Sequence, residues 1–119
     1  MSDSKKFDDN KPMLDLIPVE FTIGVGKSLS FGSKKYGKHN FKNPGLNYSR
    51  LLAAAKRHIE LEIAGIEKDD DSGLEHWMLA SASLAMYSFM RYHRKDMDDR
   101  FEYTEEEKEA IVKMMYGDD

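Results

Sequence analysis

His58 and Glu62 stand four residues apart in a stretch of helical periodicity, so an imidazole and a carboxylate project from one helix face at a spacing that suits sharing a cation. The same spacing also produces ordinary surface salt links. Glu60 falls on another face and belongs with the solvated side. Asp69, Asp70 and Asp71 follow in an acidic turn that ends at Ser72-Gly73, and His76 opens the next apolar stretch. If these two helices pack as an antiparallel hairpin, the end of one, with His58 and Glu62, meets the start of the other, with His76. One site then collects all three. With no ligand at all, carboxylates in that turn still favour a helix N-terminus, and His76 still reads as a partly buried, hydrogen-bonded histidine.

A second group has the opposite charge. From Phe31 to Phe41 the chain mixes cations, flat rings, hydroxyls and an amide between glycines. Lys34 and Lys35 suit phosphate oxygens, Tyr36 offers a stacking face, and Asn40 can read the edge of a base, with Arg57 as a further cation beside His58. Residues 1–58 hold 11 Lys+Arg against 5 Asp+Glu, residues 59–119 hold 7 against 17, and no acidic residue lies between Phe21 and Ile59. A basic half beside an acidic half is what a nucleotide with a divalent metal requires, the cations holding phosphates and the carboxylates holding the ion. Plain solvation of the surface would give the same pattern. The acidic half speaks against a broad nucleic-acid surface and for a compact nucleotide. Gly24-Val25-Gly26-Lys27-Ser28 is no phosphate loop, because Phe21 stands where its first glycine is required and no strand precedes it.

Helices must position these groups. Phe21, Val25 and Leu29 recur every fourth residue and predict a first helix from about Pro18 to Tyr36, in which Gly24, Gly26 and Gly32 imply close packing against a neighbour or a ligand. Gly37 to Tyr48 has the composition of a loop. Ser49 is the expected N-cap of a second helix, with Leu51, Leu52, Ala55, Ile59, Ile63 and Ile66 as its apolar stripe and an end near Gly65. Leu74 to about His93 is apolar on nearly every side and predicts a central third helix. Thr104 with Glu107 is a capping box for a short fourth helix, whose apolar face is Ala110, Ile111, Met114 and Met115. Nothing alternates as a strand should. The expectation is an all-α fold, a small bundle of about four helices over residues 12–119. A flexible tail, residues 1–11, precedes it, and Met13 to Pro18 serves as an anchoring segment. Apolar faces on so small a bundle favour burial by a second copy, hence a homo-oligomer.

The 119 residues suffice for one domain, and the absence of cysteine excludes disulfides, thiolate metal sites and cysteine nucleophiles. A mean hydropathy of -0.66 fits a well-solvated exterior. No run of residues is long and apolar enough to span a membrane, and the polar N-terminus has no secretory signal, so the expected location is the cytoplasm.

Several of these residues fall in an order that resembles a known family. Lys11 to Pro18, Phe31-Gly32, Lys35-Tyr36-Gly37, Asn40-Phe41, Arg50-Leu51, Arg57-His58, Gly65, Asp69, Gly73 and His76 are similar to the phage-associated dATP/dGTP diphosphohydrolase N-terminal domain family, over about Lys11 to Tyr87. The resemblance implies a small α-helical phage protein. It also implies removal of pyrophosphate from a purine deoxynucleoside triphosphate with a divalent metal, in the host cytoplasm. On that reading Glu62 and Asp69 hold Mg²⁺ or Mn²⁺ beside His58 and His76, Lys34, Lys35 and Arg57 neutralise phosphate oxygens, and Tyr36 and Asn40 position the base. The chain departs from the family at three places: Ile66 stands where a glutamate is usual, Leu79 where a histidine is common, and Ser83 where an asparagine is common. Those departures motivate an alternative, a non-catalytic phage protein that sequesters a signalling nucleotide. A partner domain with no small-molecule site is a third reading.

Overall fold

The computed structural model describes residues 10–117. It contains four helices, α1 (Val19–Tyr36), α2 (Tyr48–Ile63), α3 (His76–His93) and α4 (Glu105–Tyr116), with short 3-10 turns at Leu14–Leu16, Asn40–Lys42 and Lys95–Met97. Among the described residues there is no strand, only an isolated antiparallel bridge between Lys68 and Glu75. The fold is all-α, as the periodicity requires. Of the expected tail only Asn10 and Lys11 are described, and both are exposed.

Most helix ends have a local reason, and the starts of α2 and α3 also draw on residues distant in sequence. α1 starts after Pro18, whose carbonyl accepts from the amide of Phe21 at 3.0 Å. Ser49 is not the N-cap of α2. The N-cap is Asn47, two residues earlier, and it makes no side-chain cap. The amide of Ser49 instead donates to Asp99 Oδ1 at 2.9 Å, and its hydroxyl donates to Asp99 Oδ2. A carboxylate from a loop distant in sequence therefore satisfies an orphan donor at the positive end of α2. At the other end Gly65 adopts φ +79°, its amide donating to the carbonyl of Glu62 at 3.0 Å and that of Ile66 to Leu61 at 2.9 Å. This is a Schellman ending, and the left-handed position favours glycine. α3 starts two residues later than expected, since the amides of Asp69 and His76 bond the carbonyls of Leu74 and Glu67 at 2.8 Å each and hold the strands of the turn extended. In α4 the capping box forms in full: Thr104 Oγ1 accepts from the amide of Glu107 at 3.1 Å, and Glu107 Oε1 accepts from the amide of Thr104 at 2.9 Å.

α3 is central. It packs along α2 as a hairpin and is crossed by α1, and the core is built where its second half meets the start of α2. Tyr48, Leu51 and Met90 are buried there, surrounded by Phe41, Leu46, Met86, Tyr87, Phe89 and Met97. The phenol of Tyr48 donates to the carbonyl of Met90 at 3.2 Å, so its polar end is satisfied inside the core. α1 approaches α3 through Gly24 and Ser28, which are both buried. A Cβ on Gly24 would lie 2.4 Å from Trp77 Cη2, and Phe21 stacks on the same indole at 6.0 Å.

A Cβ on Gly26 or Gly32 would meet nothing within 4 Å, so neither is packed against a neighbouring helix, and Gly32 instead faces the cleft described below. The apolar stripe of α2 is likewise buried only at Leu51 and Ala55, while Ile59, Ile63 and Ile66 are exposed, because at this end α2 meets α3 through the face that carries His58 and Glu62. Met13, Leu14, Leu16 and Ile17, in and around the 3-10 turn Leu14–Leu16, are exposed. Met114 and Met115 on α4 are also exposed, and α4 has no substantial packing partner among the other elements.

Candidate functional site

α1 and α2 meet different sides of α3, and the loop that joins them runs back over α3, so the three helices and the loop enclose a cleft. Its volume is about 760 Å³, a size that admits a nucleotide. The floor is apolar, formed by Leu79, Ala82 and Met86 of α3 with Ser83 as its polar member. From α1 come Leu29, Phe31 and Tyr36. The loop contributes Lys38, His39, Asn40 and Lys42, with His39 in the left-handed region at φ 58°, a conformation in which histidine is tolerated. α2 adds Arg50 and His58. Among the described residues no aspartate or glutamate lines the cleft.

Of the residues singled out in the sequence, Tyr36, Asn40 and His58 reach the cleft wall. Lys34, Lys35 and Arg57 do not line it. Lys35 Nζ pairs with Asp71 Oδ2 at 2.6 Å and lies over the Phe31 ring at 5.1 Å, which ties the end of α1 to the acidic turn. The cations present are Lys38, Lys42 and Arg50, and none of them forms an ion pair with a described residue. Lys42 Nζ lies over the rings of Phe41 and Phe89 at 5.6 and 5.0 Å, which steadies its stem while leaving its charge uncompensated by any described carboxylate. All three belong to the acid-free stretch, Lys38 also to the Phe31–Phe41 segment and Arg50 to the residues of the family resemblance, but the sequence singles out none of them as a ligand.

The hairpin does bring His58 and His76 together. Their Nδ1 atoms are 2.8 Å apart and their rings stack at 5.1 Å, with His76 buried and His58 half-buried. At that distance one Nδ1 donates and the other accepts. Burial, reinforced by the neighbouring His76, holds the pKa of His58 below the ordinary value of 6.5, with Asp69 pulling the other way and Arg57 adding to the depression. His58 is therefore neutral at pH 7. With Nδ1 occupied, Nε2 is its nitrogen available to a ligand.

Glu62 and Asp69 are near this pair but engaged elsewhere. Glu62 Oε1 accepts from the amide of Trp77 at 3.0 Å and caps α3. Asp69 Oδ2 accepts from both the amide and the hydroxyl of Ser72 at 2.9 Å each, and these bonds hold its carboxyl below the usual range. Among the described residues no three His, Asp or Glu converge in a way that could hold a metal ion, so Glu62, Asp69 and His76 do not form the expected ligand set.

A helical hairpin packed against a third helix, with a cleft walled by cations and rings, defines a small all-α domain. The chain matches the family model described as dATP/dGTP diphosphohydrolase, N-terminal, over residues 1–100, and it belongs to that family. It is also 41% identical over 96 residues to a dATP/dGTP diphosphohydrolase of Salmonella phage PMBT28, a stretch that is 80% of this chain and 32% of the relative. The chain thus spans about a third of the length of that relative. No solved structure matches it. The matched residues include the whole cleft and exclude α4. Leu79 and Ser83, two of the three departures from the family pattern, line the cleft, whereas Ile66 is exposed beyond the end of α2. No helix is long and apolar enough to cross a membrane.

Proposed function

We propose that this chain binds a purine deoxynucleoside triphosphate, dATP or dGTP, in the cleft and acts in its hydrolysis to the monophosphate and pyrophosphate. The observation that carries the reading is the cleft itself, apolar on its floor and ringed by Lys38, Lys42 and Arg50 with no carboxylate among its lining residues, in a member of a family named for that reaction. The purine would lie against Tyr36, Leu79 and Met86, with Asn40 and Ser83 able to bond its edge. Lys38, Lys42 and Arg50 would hold phosphate oxygens and stabilise the charge that builds on the leaving pyrophosphate. Water attacks the α-phosphorus, the bond from that phosphorus to the bridging oxygen breaks, and the water proton passes to Nε2 of His58. Nδ1 of His58 then keeps its proton and donates to His76, which orients the ring and spreads the new charge. Mg²⁺ or Mn²⁺ was the expected cofactor; since its expected ligands do not converge, no step here passes through it. The reaction would take place in the host cytoplasm.

The test is an assay of monophosphate and pyrophosphate release from all four deoxynucleoside triphosphates with Mg²⁺, with Mn²⁺ and with chelator. Release from dATP or dGTP is expected, and His58→Gln should lower it by about 10²–10⁴-fold while nucleotide still raises the melting temperature. No turnover over the whole panel would overturn the catalytic reading. Stabilisation without product would instead identify a protein that sequesters the nucleotide.

A further inference from the structure

A protein that presents a metal–nucleotide complex commonly supplies one or two carboxylates to the ion, the phosphates and water filling its other positions. Of the carboxylates offered by the sequence, Glu62 accepts from the amide of Trp77, Asp69 from Ser72, and Asp71 pairs with Lys35, and Asp70 of the same turn does not line the cleft. Among the described residues the cleft wall contains none, and its three cations have no acidic partner. An anion entering it meets uncompensated positive charge at every charged position. We infer that the triphosphate is held through Lys38, Lys42 and Arg50 directly, as the metal-free polyanion, with no divalent ion bridging it to the protein. The inference rests on the nucleotide reading above and specifies the ionic form in which the cleft takes its ligand.

The arrangement has a reason in the positions of these residues. Arg50 is on the first turn of α2, Lys38 is in the loop, and Lys42 is braced by Phe41 and Phe89, so the cations come from different elements around one rim. Magnesium would compete with them for the same phosphate oxygens. A protein with carboxylates at that rim would gain from the ion, whereas this one loses charge attraction when the ion neutralises the ligand.

The experiment measures binding of dGTP, and separately of inorganic tripolyphosphate, to the full chain by calorimetry and by melting temperature, in EDTA and in excess Mg²⁺ or Mn²⁺. The expected result is binding in EDTA at least as tight as with metal, weakened by added salt. Arg50→Ala should weaken dGTP binding in EDTA by about tenfold, the loss of a charge-assisted bond. Lys38→Ala should act in the same direction, and Lys113→Ala on α4 should leave affinity unchanged. The melting temperature of each ligand-free variant reports whether it folds. Binding of dGTP that appears only with Mg²⁺ or Mn²⁺ would overturn this inference and leave the nucleotide reading standing. Absence of binding in every condition would overturn both.

Discussion

Two imidazoles joined through their Nδ1 atoms accommodate one proton between them, and a second proton on that bond would set two donors face to face. His58 is the half-buried member, and burial followed by the adjacent His76 depresses its pKa below 6.5, against the opposing pull of Asp69. The unfolded chain consequently takes up the proton at a higher pH than the folded chain does. The stability linked to neutral His58 is fully present above the unfolded value near 6.5 and is lost as pH falls through the folded value. Between pH 7.5 and 5, the melting temperature of the wild type should fall more than that of His58→Gln, with the other histidines common to both. Equal slopes would show that His58 does not titrate between the two states. At this same scale the sequence located the imidazole pair, since His58 and His76 follow from helical spacing and a hairpin. It could not tell that Glu62 and Asp69 would be drawn off to a backbone amide and to Ser72, because those partners depend on the path of the acidic turn.

Helix boundaries were legible wherever a signal is local. The Thr104–Glu107 capping box and the Gly65 ending arise within a few residues of chain. The cap of α2 is not local, for Asp99 reaches Ser49 only after the strap of residues 94–100 has folded back over the loop. There Arg94 bonds the carbonyl of Lys42 at 2.9 Å and Arg100 lies over Tyr48 at 5.2 Å. Packing between elements likewise separates glycines that look alike in the sequence. Gly24→Ala would drive a methyl group into Trp77 and Met78 and should destabilise by about 1–3 kcal/mol, since an indole in a packed contact cannot move freely. Gly26→Ala, inside the same helix with nothing within 4 Å, should stabilise by about 0.4–1 kcal/mol through helix entropy. Urea denaturation of the two variants checks the pair, and effects of the same sign would refute the close α1–α3 contact.

Across the whole molecule the apolar surface exceeds what three packed helices can cover. Leu14 is 71% exposed, Ile63 76% and Met114 76%, and each lies in a run of similar neighbours. The homo-oligomer expected from the sequence would bury such faces, and sedimentation should give a concentration-dependent mass above the 13.7 kDa of one chain. A single 13.7 kDa species at all concentrations would leave those faces to another partner. By itself the sequence determined the all-α class, the helices and the imidazole pair, because periodicity and capping act over a few residues. Tertiary structure decided which cations face the cleft, which carboxylates are occupied and which stripes are covered. Lys35 and Lys38 differ by three places in the chain, yet one is neutralised by Asp71 and the other lines the cleft. That outcome depends on where α1 crosses α3, a crossing set by the fit of Gly24 against Trp77 and by no pattern readable along the chain.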